Sequence, residues 1–334
     1  NDKETAANQA ESLAQKIMAH LAQEYDLEGL TCNSSASIGV TLFNSTSVPT
    51  EDLLKQADMA MYKAKEAGRN TVQFFDPKMQ VAVSSKATLI HDLYNAIQQR
   101  QFTLFYQKQI DQHGRVVGVE ALLRWFHPEK GMISPAQFIP LTEETGLIVP
   151  IGDWILQQAC ETLANWAKQP VTKNLSVAVN ISVVQFSKDN FVQKVINSLR
   201  SSGANPQLLK LEITESLLAN NIPDVKAKMR ELQQCGVTFS IDDFGTGYSS
   251  LSYLKQLPIN QLKIDQSFVR DIINSINDKA IAQAVITLAS SMGLQVIAEG
   301  VETEDQRALL HRMGCNTYQG YLFGKPCRLE ELKL

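Results

Sequence analysis

The chain has 334 residues, of which 44% are hydrophobic and 20% are charged, and its formal net charge is −4 at pH 7. This length suits two domains, and the composition is that of an ordinary soluble globular protein. Because nonspecific binding to DNA or RNA normally needs a basic surface, we expect neither as a partner. The five cysteines are scattered and form no CxxC pair, a pattern that is typical of reduced thiols in a cytoplasmic protein.

No apolar run in the sequence approaches the ~18–20 residues that a membrane helix requires. We therefore expect no membrane contact within this chain and a cytoplasmic location. The sequence begins without Met and inside a helical pattern, so we also expect an upstream segment that could carry a sensor or a membrane anchor.

Residues 1–77 alternate between helical and strand patterns and predict a small α+β segment. Apolar residues recur at helical spacing over 3–24, which predicts an amphipathic helix there. A strand is predicted over 36–43, then a helix that Gly68 ends, then a strand over 71–75. Such a segment is small for an independent domain.

Residues 78–100 predict a helix that connects this segment to the rest of the chain. Over 101–334, strands alternate with helices, which is the pattern of βα units and a parallel sheet. The eight predicted strands cover 102–110, 116–123, 175–182, 208–214, 237–243, 260–265, 294–299 and 317–323. This number fits an α/β barrel of the (β/α)8 TIM type, with an open doubly wound sheet as the alternative.

Nearly every predicted barrel strand ends in a polar residue where an apolar one would fit the pattern. The active sites of such barrels form at the C-terminal ends of the strands, so these side chains are expected to meet at one mouth. They are Glu120, Asn180, Glu212, Asp242, Asp243, Lys263, Asp265, Glu299, Glu302 and Gln319. A single carboxylate of this kind is more often a cap or a loop contact, but the recurrence on several strands favours a shared site.

Carboxylates that converge without a counter-charge repel one another, and a hard cation with oxygen ligands relieves the repulsion. The five carboxylates are Glu120, Glu212, Asp242, Asp243 and Glu299. Two divalent ions together with Lys263 would balance their charge, and two ions ~3.5–4 Å apart can activate a water for attack at phosphorus. The absence of His and Cys from the set favours Mg²⁺ or Mn²⁺ over zinc. Ca²⁺ is expected to inhibit, because it prefers longer bonds and higher coordination.

Arg124 lies four residues after Glu120 and is a candidate clamp for a phosphate, because its planar fork of donors suits phosphate oxygens. An outward Arg124 in solvent is an equal alternative on spacing alone. The segment 243–248 contains the triplet Gly245-Thr246-Gly247, whose glycines allow a sharp turn near a ligand. Such a triplet alone does not identify a ligand site.

Seven short motifs occur in order between residue 93 and the C-terminus. They are Glu120-Ala121-Leu122-Leu123-Arg124-Trp125, Asn180-Ile181-Ser182, Glu212-Ile213-Thr214-Glu215, Asp242-Asp243-Phe244-Gly245-Thr246-Gly247, Lys263-Ile264-Asp265, Glu299-Gly300-Val301-Glu302 and Gln319-Gly320-Tyr321. This set resembles the signature of EAL-domain phosphodiesterases, which hydrolyse cyclic di-GMP to linear pGpG. The resemblance implies a modified barrel in which the first strand is antiparallel to the others. One departure is Lys108, where the family usually has proline.

The resemblance also implies roles for individual residues. The ligands of one metal ion would be Glu120, Asn180, Glu212 and Asp242, and those of the other Asp242, Asp243 and Glu299. The catalytic residues would also include Lys263, which orients the water or stabilises charge at phosphorus, and the supporting residue Gln319. Contacts with the dinucleotide would come from Gln107, Leu123, Arg124, Asp265 and Glu302.

Glu215 follows its strand and is implied to hold the loop 243–249, which in this family borders a common dimer interface. Glu215 would thereby support Asp242 and Asp243 without contacting a metal ion. A homodimer through the EAL barrel is implied for the same reason.

The N-terminal segment carries three further motifs. They are Ser37-Ile38-Gly39, Ala57-Asp58-Met59-Ala60-Met61-Tyr62-Lys63-Ala64-Lys65 and Gly68-Arg69-Asn70. They resemble the second half of a GGDEF diguanylate cyclase domain, in which the counterparts of Lys65 and Arg69 bind the GTP triphosphate. Because the sequence lacks the GGDEF motif itself, these two residues are interpreted as vestigial phosphate contacts.

Three functions remain open at this point. The first is an active, metal-dependent phosphodiesterase for cyclic di-GMP, which the complete set of ligands favours. The second is a catalytically silent receptor for the same molecule, and the third is a phosphodiesterase for another cyclic dinucleotide.

Overall fold

A computed structural model of the chain describes residues 2–43, 48–219, 221–245 and 254–334. The chain divides into two compact units, Asn1–His91 and Asp92–Leu334. The division falls within the helix Pro77–Gln98, which covers most of the predicted connecting segment. Among the described residues, no helix is both long enough and apolar enough to cross a membrane.

The N-terminal unit combines helices with short strands. Its elements are the helices Asp2–Leu21 and Thr50–Glu66, the strands Tyr25–Leu27 (β1), Leu30–Cys32 (β2), Ile38–Val40 (β3) and Val72–Phe74 (β4), and the start of the helix Pro77–Gln98. The parallel pair β3–β4 lies against the helix Thr50–Glu66, and Gly39 makes this contact possible. A Cβ atom on Gly39 would lie 2.0 Å from the carbonyl oxygen of Ala57, so no larger residue fits.

The sequence did not predict the β1–β2 hairpin of this unit. Its two-residue turn is formed by Glu28 and Gly29, with φ values of 54° and 88°. Positive φ at both turn residues matches the right-handed twist of the paired strands. Each strand has only three residues, all exposed, so no alternation of apolar and polar residues marks them.

The second unit is built around a closed barrel. Its strands are Phe102–Asp111 (β5), Val116–His127 (β6), Ser176–Ile181 (β8), Leu209–Thr214 (β9), Thr238–Phe244 (β10), Gln261–Ile264 (β11), Gln295–Ala298 (β12) and Thr317–Gln319 (β13). The order β5-β13-β12-β11-β10-β9-β8-β6 closes through the pairing of β5 with β6. Closure excludes the open doubly wound sheet. β5 is antiparallel to both of its neighbours and the other neighbouring pairs are parallel, which confirms the predicted modified barrel.

A ninth strand, Gly131–Ile133 (β7), pairs with the end of β6 outside the barrel and was not predicted, because its first two residues are exposed and no apolar run marks it. The longer helices lie between strands in sequence. They are Pro135–Glu144, Ile148–Trp166, Phe191–Ser202, Ile222–Gln234, Ile276–Ser291 and Glu304–Arg312. The last of these helices begins with a capping box, in which Thr303 and Gln306 each accept from the other's backbone N–H.

The two faces of the barrel strands differ in chemistry. On β8, Val177, Val179 and Ile181 are buried on one face, whereas Asn180 points to the other. The apolar face packs against the helix Ile148–Trp166, whose buried Leu163 alone contributes ~1.5–3 kcal/mol through removal of its side chain from water. The inward face is therefore free to carry polar side chains.

Candidate active site

Lys263 lies at the centre of the predicted acidic cluster. It is on β11, is 1% exposed, and its Nζ donates to three carboxylates. The N–O distances are 2.7 Å to Glu212 Oε2, 2.7 Å to Glu299 Oε1 and 2.9 Å to Asp242 Oδ1, with Glu120 Oε2 further away at 3.7 Å. Four strands thus deliver carboxylates to a single buried ammonium group.

One ammonium does not neutralise this many carboxylates. Burial raises the pKa of Glu212 to about 8, and the neighbouring Glu120 and Asp242 add to the rise against the opposing effect of Lys263. Burial also raises the pKa of Glu299 well above its usual range. Although burial opposes its charge, the surrounding carboxylates hold the pKa of Lys263 well above its ordinary value. The carboxylates therefore outnumber the ammonium group at this site, and bound protons or further cations can balance the excess negative charge.

The carboxylates form two triads that share one member. Ligand oxygens of Glu120, Glu212 and Asp242 lie within 4.8 Å of one another, and so do those of Asp242, Asp243 and Glu299. Oxygen ligands at this spacing suit hard divalent cations. Among buried side-chain atoms, Glu212 Oε1 has no hydrogen-bond partner in the described part of the chain, so it is available to a cation.

The consecutive residues Asp242 and Asp243 reach the same site because β10 is irregular. Simple alternation would send two consecutive side chains to opposite faces of the sheet. The pairing with β11 shifts register between Ile241 and Phe244, and Asp243 adopts a left-handed backbone with φ 52°. Such a conformation costs ~1–2 kcal/mol in a residue with a side chain. Burial, then the nearby Asp242, raises the pKa of Asp243 to about 7.

Asn180 is at the end of β8 and directly opposite Glu212 in the β8–β9 ladder. Its side-chain amide donates to Glu120 Oε1 at 2.5 Å. On the other side of the same carboxylate, the Gln319 amide donates to Glu120 Oε2 at 2.5 Å. Although burial raises it, the charge of Lys263 and then these two bonds hold the pKa of Glu120 below its usual value.

A cavity of about 440 Å³ opens directly above the acidic cluster. It is lined by Gln107, Glu120, Leu122, Arg124, Asp242, Lys263, Gln266, Glu299, Gly300, Glu302, Gln319, Gly320, Tyr321 and Pro326. Three of the predicted substrate contacts, Gln107, Arg124 and Glu302, are therefore at this cavity. Arg124 lines this cavity, and its guanidinium lies 5.7 Å from the ring centroid of Phe105, so the structure favours the inward placement of Arg124.

The prediction that Leu123 contacts the substrate needs correction. Its side chain is 7% exposed and does not line the cavity, whereas its neighbour Leu122 does. Alternation along β6 explains the difference, since Leu122 shares the inward face with Glu120 and Arg124. Gln266, Tyr321 and Pro326, which the sequence did not predict, also line the cavity.

Asp265 and Glu215 both contact the β10 region. The Asp265 carboxylate accepts from the backbone N–H of Ser267 at 2.9 Å, and it also interacts with Asp243. Glu215 Oε1 accepts from the backbone N–H of Gly245 at 2.8 Å. The remainder of the loop that Glu215 was predicted to hold, residues 246–249, lies outside the described residues.

The two predicted phosphate contacts of the N-terminal unit are both exposed. Lys65 is in the last turn of the helix Thr50–Glu66, and Arg69 follows that helix with φ 63°.

The comparison with known families gives a direct match for both units. The EAL domain matches residues 90–326, which is more than half of the chain. The chain belongs to the EAL-domain family. The diguanylate cyclase GGDEF domain matches residues 1–71, so the predicted resemblance to both families is confirmed.

Relatives of known name include the bifunctional diguanylate cyclase/cyclic di-GMP phosphodiesterase MucR of Pseudomonas aeruginosa. It is 42% identical over 97% of this chain, which spans 47% of the length of MucR. The cyclic di-GMP phosphodiesterase PdeR of Escherichia coli is 36% identical over 96% of this chain, which spans 48% of the length of PdeR. The chain thus spans about half the length of these relatives.

Solved structures of EAL proteins are similar to the barrel unit. The MucR phosphodiesterase in complex with c-di-GMP is 44% identical, with a TM-score of 0.71, covering 74% of this chain and 100% of the MucR chain. The EAL domain of DcpA from Mycobacterium smegmatis is 37% identical, with a TM-score of 0.58, covering 68% of this chain and 92% of the DcpA chain.

Proposed function

We propose that the EAL unit hydrolyses cyclic di-GMP to linear pGpG with the help of two divalent cations. The observation that carries this proposal is the pair of carboxylate triads that share Asp242 around the buried Lys263. The names of the MucR and PdeR relatives support the substrate and the reaction.

The donor set fits a pair of hard cations. Every group in the two triads is a carboxylate, and Mg²⁺ and Mn²⁺ prefer oxygen ligands. Burial, and after it the neighbouring carboxylates, raises the pKa of Glu212 and Glu299, and two divalent ions beside them would favour the charged forms. The buried oxygen Glu212 Oε1 without a partner gives one ion a ligand that no described residue uses.

The first ion would be held by Glu120, Asn180, Glu212 and Asp242, and the second by Asp242, Asp243 and Glu299. When bound, the two ions would activate a water and neutralise charge at the phosphodiester.

The remaining residues act on the substrate or on these ligands. Lys263 gathers the carboxylates and would stabilise negative charge that develops on the phosphoryl oxygens. Arg124 and Gln107, which line the cavity, would hold the dinucleotide through a phosphate and its neighbouring groups. Asp265 and Glu302 are proposed as further contacts, and Gln319 and Glu215 as supports of the metal ligands.

The ions proposed are Mg²⁺ or Mn²⁺, with Ca²⁺ as an inhibitor because it prefers longer bonds and more ligands than a compact shared site offers. The deciding experiment follows cyclic di-GMP and pGpG by chromatography after removal of metal and addition of each ion. Formation of pGpG with Mg²⁺ or Mn²⁺ supports the proposal, and full turnover in excess chelator would contradict it. Binding without any product would favour the silent receptor, and equal turnover of cyclic di-AMP would favour a different substrate.

Two further properties are proposed. The family resemblance supports a homodimer formed through the EAL unit, and the five scattered cysteines, which form no CxxC pair, support a cytoplasmic location. Light scattering of the purified chain at several concentrations tests the first, and fractionation of cells that express the full protein tests the second. A concentration-independent monomer would contradict the dimer.

A further inference from the structure

Three buried glutamine side chains form a chain of hydrogen bonds at β5, in which each amide nitrogen donates to the oxygen of the next group. Gln109 Nε2 donates to Gln319 Oε1, Gln319 Nε2 donates to Gln107 Oε1, and Gln107 Nε2 donates to the carbonyl oxygen of Gly324. All three N–O distances are 3.1 Å. We call Gln109, Gln319 and Gln107 the glutamine row.

The strand pairing explains why the glutamine row exists. Gln109 is directly opposite Gln319 in the antiparallel β5–β13 ladder, and Gln107 is directly opposite Glu120 in the β5–β6 ladder. Gln107 and Gln109 are two residues apart on β5, so both point into the barrel. β5 therefore connects Gln319 on one neighbouring strand with Glu120 on the other.

The direction of the row is what matters for the site. An amide has a donor end and an acceptor end, and Gln319 uses its donor end for both Glu120 Oε2 and Gln107 Oε1. If this amide were reversed, its oxygen would face the Glu120 carboxylate and repel it. The bond that Gln109 donates to Gln319 Oε1 favours the observed orientation, since a reversed Gln319 would present a donor to the donor of Gln109.

We propose that Gln109 is a positioning residue of the metal site, an inference that rests on the proposed function. It is 1% exposed and does not line the cavity, and among the described residues its side chain donates to Gln319, through which it acts. By fixing the direction of the row it sets the carboxylate of Glu120, and through Gln107 it holds Gly324 in the segment whose Tyr321 and Pro326 line the cavity.

Three substitutions of Gln109 distinguish the effect of its donated hydrogen bond from the effect of its side-chain volume. Gln109→Met keeps similar volume and removes the donor, Gln109→Glu offers an acceptor when ionised, and Gln109→Lys retains a donor. Calorimetric titration of the metal-free protein with Mn²⁺ should show ~10–100-fold weaker binding for Gln109→Met. This is the usual loss when a residue that supports a metal ligand is removed. The Glu variant should lose at least as much, and the Lys variant should remain close to wild type. Gln112→Met, at an exposed position after the same strand, is the matched control.

Kinetics supply a readout that a loss of folding would not give. Because Gln109 touches neither metal nor substrate, kcat of Gln109→Met should return to the wild-type value at saturating Mn²⁺, with a raised Mn²⁺ concentration for half-activity. Unchanged Mn²⁺ affinity in the Met variant, or equal losses in Met and Lys, would overturn the proposal.

A third measurement does not depend on activity or metal. Urea unfolding of metal-free Gln109→Met, Gln319→Met and the double variant should give non-additive midpoints, because residues in direct contact are coupled. Additive midpoints would overturn the proposed link. If the wild type binds Mn²⁺ yet makes no pGpG, the proposed function fails while the order of Mn²⁺ affinities still tests Gln109.

Discussion

At the scale of single residues, the site depends on one ammonium group surrounded by carboxylates. Lys263 Nζ lies within 2.9 Å of oxygens from Glu212, Asp242 and Glu299. Breaking a buried ion pair by removal of one partner typically costs ~3–5 kcal/mol, because the remaining charges stay buried without compensation. Lys263 is therefore expected to matter for the stability of the metal-free protein as well as for turnover.

We predict that Lys263→Met lowers kcat much more than it lowers the affinity for cyclic di-GMP. The reason is that its ammonium would stabilise the negative charge that develops in the transition state more than it stabilises the bound substrate. The measurement compares kcat with ligand affinity in Ca²⁺, which is proposed to inhibit turnover. Lys228→Met is the matched control, since Lys228 is also buried but pairs with Asp224 away from the site. Equal losses in rate and affinity would make Lys263 a simple binding residue.

Glu120→Ala is predicted to abolish turnover while some affinity for the dinucleotide remains. The substitution removes a carboxylate of one triad and the acceptor of the Asn180 and Gln319 amides, whereas Arg124 stays at the cavity. Rate and affinity are measured separately under the same metal concentration. Retention of about a tenth of the activity is the loss expected for a residue that only supports a ligand, and it would contradict a direct metal contact.

The residue types of the site were largely predictable, but their directions were not. Carboxylates at strand ends stand out in sequence because they interrupt apolar runs, and the structure brings Glu120, Glu212, Asp242 and Glu299 together. Leu122 and Leu123 are chemically identical, so only the inward face of β6 distinguishes them. Gln109 carries no pattern of its own, although its spacing of two from Gln107 could have indicated the same face.

At the scale of elements, the end of β10 depends on support from outside the strand. Asp243 has a left-handed backbone, and two residues later Gly245 donates its N–H to Glu215 Oε1 at 2.8 Å. A carboxylate acceptor makes a stronger hydrogen bond than a neutral one. Glu215 is thus placed to hold the backbone that carries both aspartates.

Glu215→Ala is predicted to raise the Mg²⁺ concentration needed for half-activity and to lower turnover, with the fold intact. Loss of support for a metal ligand typically weakens affinity or activity by ~10–100-fold. The experiment is a Mg²⁺ titration of activity together with thermal unfolding, and Glu215→Gln, which keeps an acceptor, should lose less. An unchanged titration curve and an unchanged rate would leave Glu215 as an ordinary surface residue.

Long elements were predictable because their periodicity is repeated many times. The barrel strands lie within a few residues of their predicted bounds, and the helix Asp2–Leu21 agrees with the predicted helix over 3–24. The short strands β1, β2 and β7 were not predicted, because all of their residues except Ile133 are exposed and no buried face marks them. The register shift in β10 was not predictable either, since it depends on its pairing with β11.

At the scale of the whole molecule, the sequence predicted a barrel by the number of its strands, whereas closure is a property of pairing. β5 contacts both β13 and β6, which joins the first strand of the barrel to the last. Strand counting alone allowed an open sheet, so the antiparallel orientation of β5 came only from the family resemblance.

We predict that this 334-residue chain makes no cyclic di-GMP from GTP. The GGDEF family matches only residues 1–71, and the sequence lacks the motif for which the family is named. Lys65 and Arg69 are exposed and could contact phosphate, but contacts alone do not supply a metal site. Incubation with GTP and Mg²⁺, followed by chromatography, checks this, with the hydrolysis of any product blocked by Glu120→Ala. Detectable cyclic di-GMP would contradict the interpretation.

The antiparallel first strand has a practical consequence for attaching probes to the barrel. Because β5 runs opposite to the other barrel strands, it starts at the rim where those strands end, next to Trp125 at the end of β6. The C-terminal segment stays at this rim as well, since Cys327 pairs with Tyr106. A tag or fluorophore attached just before β5 or just after Cys327 would therefore lie near the cavity mouth and obstruct it. The exposed turn 112–115 between β5 and β6 lies at the far rim and is the better attachment point.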